Sequence, residues 1–71
     1  MEGLKAIIEA LIFASEVPLS LDRLADILED VERKDIRTCL GQLMDEYRTH
    51  TRGFTIVEVA GGYHFRTKNE W

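Results

Sequence analysis

Basic residues are the scarcer charge in this 71-residue chain. Nine Lys and Arg stand against thirteen Asp and Glu, a formal net charge of −4. That balance is a poor starting point for a general DNA binder, which presents a basic face. Cysteine is scarcer still. Cys39 stands alone, which excludes an internal disulfide, and one thiol with the distant His50 and His64 falls short of the ligand set of a structural zinc site. A lone reduced thiol fits a cytosolic compartment. The longest apolar run, Ala10 to Ala14, is five residues, against the roughly 20 that a membrane span needs. Glu2 follows Met1 directly and no small-residue cleavage pattern comes after it, so no secretory signal is expected.

Hydrophobic residues make up 45% of the chain, enough for a core and too many for wholesale disorder. The length allows one small domain, and a domain of this size buries only about 60% of its unfolded surface. Such domains are usually reinforced by disulfides, metal or a partner. With the first two excluded, a partner is expected. The charge is also unevenly spread. Residues 1–32 hold two basic and eight acidic groups, a net of −6, whereas residues 33–50 and 51–71 each carry +1.

Residues 2–15 read as a helix, because Leu4, Ile7, Ile8, Leu11 and Ile12 follow the i, i+3, i+4, i+7, i+8 spacing of one apolar stripe. Glu2, Lys5, Glu9 and Glu16 share a narrow far strip, where Lys5 and Glu9, four apart, are placed to pair. The remaining flank holds Gly3, Ala6, Ala10 and Phe13, small or apolar, so the helix is apolar over most of its circumference and asks for a second contact. Val17-Pro18 ends the pattern. Ser20 suits an N-cap, with Leu19 and Leu24 as a hydrophobic staple and Asp22 favouring the helix dipole. Leu21, Leu24, Ala25 and Leu28 face inward on this short second helix, which is expected to end near Glu29–Asp30.

A third helix is predicted from about Lys34 to Arg48. Ile36, Cys39, Leu40, Leu43, Met44 and Tyr47 form its apolar face, and Arg33, Arg37, Gln42 and Asp45 point outward. Gly41 inside it marks either close packing or simple tolerance, at a cost of about 1 kcal/mol relative to Ala. After Arg52-Gly53 the period becomes alternating. Phe54 to Ala60 reads as a strand, Gly61-Gly62 as a tight turn, and Tyr63 to Thr67 as the returning strand. That turn would pair Ala60 with Tyr63, Glu58 with Phe65 and Ile56 with Thr67, leaving Val57, Val59, His64 and Arg66 on the opposite face. Three helices followed by a two-stranded hairpin is the order of an α+β winged helix-turn-helix.

Two tracts carry a more specific signal. Ala6-Ile7-Ile8-Glu9-Ala10-Leu11-Ile12-Phe13-Ala14-Ser15, with Pro18-Leu19-Ser20 after it, resembles the opening of segregation and condensation protein B, ScpB. Gly53-Phe54, Val57-Glu58-Val59-Ala60-Gly61-Gly62-Tyr63 and Phe65-Arg66-Thr67 resemble the first wing of the same family. The resemblance covers nearly the whole chain. It implies a cytoplasmic, nucleoid-associated protein of two tandem winged helices that forms homodimers and acts with the kleisin ScpA and the SMC ATPase in chromosome condensation and segregation. Residues 1–71 would be the first winged helix, the one associated with self-association, and Trp71 would stand where the second domain begins. One local departure is Glu32-Arg33 before the third helix, where a Ser or Asp cap is usual.

The excess apolar flank gives a candidate dimer interface of Ala6, Ala10, Ile12 and Phe13. The plainer alternative is a helix wrapped by its own hairpin and by a tail that folds Trp71 back. Arg33, Lys34 and Arg37 open the third helix, where a winged helix enters a major groove, and Arg66 and Lys68 lie on the wing. Asp35 and Asp45 interrupt this set, and few phosphates would be neutralised, so only weak or indirect DNA contact is expected. The competing assignment is a transcription regulator reading DNA with the third helix and wing. No catalytic constellation is present. His50 and His64 lack a carboxylate at triad spacing, Cys39 on an apolar face lacks an adjacent base, and Gly61-Gly62 lacks the third glycine and helix of a nucleotide loop. A non-enzymatic domain without cofactor, metal or small-molecule substrate is expected.

Overall fold

A computed structural model describes residues 3–49 and 53–67. The first helix, α1 (Leu4–Ala14), buries Leu4, Ile8 and Ile12, with Ile7 and Leu11 half-buried beside them. That is the stripe set by the three-and-four spacing. The Ser15 N–H bonds the Ile12 carbonyl at 3.3 Å as the chain turns extended, and Pro18 leads into a two-residue strand, β1 (Leu19–Ser20).

The second helix, α2 (Leu21–Ile27), starts at the expected cap: the Ser20 hydroxyl accepts the Arg23 N–H at 3.0 Å. Leu19 and Leu24 are both buried, as the staple requires. The helix stops short of the expected Glu29–Asp30. Leu28 leaves helical geometry at φ −101°, ψ 72° and is itself buried, while its N–H still bonds the Leu24 carbonyl at 2.9 Å. The third helix, α3 (Arg33–Thr49), is the spine of the domain. Ile36, Leu40, Leu43 and Tyr47 line its buried face. Gly41 is exposed and a Cβ there would meet nothing within 4 Å, so this position is one of tolerance, not of close packing.

Two strands, β2 (Phe54–Val59) and β3 (Gly62–Thr67), close the chain as an antiparallel hairpin, and β1 adds to the free side of β3 to give the order β1-β3-β2. Three helices and a wing make this a winged helix. The third strand was not foreseen: two residues are too few to show a period. The register also differs from the expected one. Val59 pairs with Gly62, Glu58 with Tyr63, Ile56 with Phe65 and Phe54 with Thr67, so Ala60 and Gly61, not Gly61 and Gly62, form the turn. Both have positive φ, 49° and 80°, as a type I′ turn demands.

The reason lies in β1. Ser20 pairs with Gly62 and Leu19 with Tyr63, and a Cβ on residue 62 would lie 2.7 Å from the Pro18 Cβ and 3.0 Å from its carbonyl carbon. Glycine is needed at 62 for this approach and is therefore not at the turn centre. Ala60 takes the left-handed position instead, at a cost of about 1–2 kcal/mol. The register differs by an even step, so the faces are those expected: a one-residue slip would have exchanged them. Ile56, Tyr63 and Phe65 face the helices, and Ile56 joins the core.

Two substitutions separate these uses of glycine. Gly62→Ala should lose about 1–3 kcal/mol through forced movement of Pro18 and Leu19, read as a lower urea midpoint. Gly41→Ala should gain about 1 kcal/mol and raise Tm by roughly 4–8 °C.

Candidate functional site

Helix α1 has two unlike sides. Ile8 and Ile12 are 0% and 1% exposed, whereas Phe13 is 72% exposed and Ala6 and Ala10 also face solvent. Ile12 is therefore corrected out of the candidate interface. It lies four residues beyond Ile8 and eight beyond Leu4, on the stripe that enters the core, so no partner can reach it. Ala6, Ala10 and Phe13 stay together on the outer flank.

This flank is one wall of an open groove of about 270 Å³. The hairpin and the end of α3 supply the other wall through Phe54, Phe65 and Tyr47. Phe65 sits at its centre, with ring centroids 5.9 Å from Phe13, 5.3 Å from Tyr47 and 5.8 Å from Phe54, all edge-to-face. Such geometry sets the positive ring edge on a negative face. Phe54 and Phe65 are diagonal neighbours across β2 and β3, close enough for aromatic side chains to meet. The hairpin thus packs against α1, as the plainer alternative expected, yet it leaves Phe13 mostly in water. Trp71, the other part of that alternative, lies outside the described residues.

The polar partners on α1 also differ from expectation. Lys5 forms an ion pair with Glu46 of α3, not with Glu9. Glu9 accepts a hydrogen bond from the Tyr47 hydroxyl at 2.5 Å. Helical i, i+4 spacing makes a Lys5–Glu9 pair available, but α3 packs alongside and offers both residues partners across the interface. Among the described residues lining the groove, Glu9 is the one that carries a charge, and its carboxylate is already engaged.

Sequence reasoning found the α1 half of the groove and missed Tyr47, Phe54 and Phe65. Phe54 and Phe65 carry a signal in hindsight, since both fall on the helix-facing side of the alternating hairpin, but only the true register places them diagonally. A second hollow, about 410 Å³, lies near the start of α1 against α3 and the α2–α3 turn, lined by Leu4, Lys5, Val31 and Cys39 together with polar and acidic side chains. Among the described residues it presents no exposed large apolar side chain. Cys39 is half-buried against the core, in keeping with a small core hydrophobe.

The basic residues are placed as follows. Arg33 at the start of α3 is ion-paired with Asp22 of α2, while Lys34 and Arg37 are exposed on the same helix. Arg37 lies near the hairpin, where its charge opposes two influences that push the Tyr63 phenol above its ordinary pKa, burial first and then Glu58 on the neighbouring strand. Arg66 is exposed on the outward side of β3, which also carries His64, whose buried Nδ1 has no hydrogen-bond partner. Lys68 and His50 lie outside the described residues. Among the described residues no group of three or more His, Cys, Asp or Glu is placed to hold a metal ion, and no helix is long and apolar enough to cross a membrane.

Comparison with known proteins agrees with this architecture. The family model of the segregation and condensation complex subunit ScpB matches residues 6–71. Segregation and condensation protein B of Syntrophotalea carbinolica is 45% identical over 67 residues, covering 94% of this chain and 34% of that protein. The Bacillus subtilis protein of the same name is 37% identical over 68 residues, with 94% and 34% covered. The chain thus spans about a third of the length of these curated relatives. Among solved structures, a dimer of the ScpB N-terminal domain complexed with ScpA peptide is similar at a TM-score of 0.85 and 36% identity, over 97% of this chain and 79% of that one. A conserved hypothetical protein from Chlorobium tepidum follows at 0.74 and 32%, over 99% and 46%. With a family match over nearly its whole length and a fold that superposes on the N-terminal domain, the chain belongs to the ScpB family.

Proposed function

We propose that this chain is the first of two tandem winged helices in an ScpB-type subunit, and that its work is to pair two copies of that subunit. The observation that carries this reading is the exposed Phe13 beside an aromatic groove, on a domain whose structural neighbour is a dimer. An isolated phenylalanine exposed to this extent has about 150 Å² or more to bury, and Ala6 and Ala10 let another backbone approach closely. A stable pair buries about 800 Å² per partner, so Phe54 and the hairpin edge join the α1 flank in the contact.

The role is architectural and non-enzymatic. The paired subunit engages ScpA, and through it the SMC ATPase, on the nucleoid in the cytoplasm, with no cofactor or small-molecule substrate. DNA is a minor or indirect partner: Arg33 is held by Asp22, and Lys34, Arg37, Arg66 and Lys68 offer few cations on a chain of net charge −4.

Sedimentation equilibrium tests this directly. The wild-type chain should run as a dimer, and Phe13→Glu should weaken self-association by roughly 30-fold or more, as loss of an interface hot spot does. Circular dichroism should be unchanged, because Phe13 contributes little to the core. A wild-type monomer at high concentration would overturn the reading.

A further inference from the structure

We draw no further inference here: the strongest candidate, the outward face of the hairpin, where Val57 and the exposed Val59 lie beside His64 and Arg66, carries nothing because nothing in the structure shows what covers it.

Discussion

The close approach of β1 to β3 at Gly62 decides where the aromatic groove lies. A side chain at this position would collide with Pro18, so glycine must sit at the first residue of β3 and the turn is pushed back onto Ala60 and Gly61. From that turn the hairpin register follows residue by residue. Phe65 comes opposite Ile56, and Phe54 falls diagonal to Phe65. Phe65 then meets Phe13 and Tyr47 from the two helices. A register shifted by an even step would keep the same residues on the inner face but would move Phe65 along the groove, away from one of its neighbours.

The helices set the other wall by a division of labour within α1. Leu4, Ile8 and Ile12 enter the core with Ile36, Leu40 and Leu43 of α3, and their burial, at about 25 cal/mol per Å², is the main stabilising contribution to the helix pair. The Lys5–Glu46 pair and the Glu9–Tyr47 hydrogen bond cross the same seam. Because the Lys5–Glu46 pair is partly exposed, it contributes little energy. It acts with the Glu9–Tyr47 bond to hold the rotation of α1, so that Ala6, Ala10 and Phe13 look outward. In a domain with a thin stability margin, leaving a phenylalanine in water is a local cost that the proposed pairing would offset.

The helix-turn-helix pair keeps its shape without presenting a strong cationic surface. Asp22 on α2 takes up Arg33 at the entrance of α3, and Asp35 follows two residues later. Since non-specific DNA affinity depends on how many phosphates are neutralised, this geometry favours protein contact over nucleic acid. The acidic first 32 residues, of net charge −6, and the weakly basic remainder are brought together here, at the α2–α3 junction, where the charges of α2 meet those of α3.

Much of the fold was legible in the residues. The three-and-four spacing from Leu4 to Ile12, the Ser20 cap, the Ile36 to Tyr47 face and the alternation after Phe54 each encode a local period, and a local period needs no knowledge of the rest of the chain. The outer flank of α1 was legible for the same reason, as what the core stripe leaves over. What remained hidden was relational. Whether Gly61 or Gly62 is spare for the turn depends on Pro18, more than forty residues earlier. Whether Lys5 pairs with Glu9 or Glu46 depends on which helix lies alongside. The sequence by itself determined the elements, their order and the apolar excess of α1. Only the tertiary structure decided the hairpin register and gathered Phe13, Tyr47, Phe54 and Phe65 into one groove, because that gathering is set by backbone approach between distant segments and not by any periodicity along the chain.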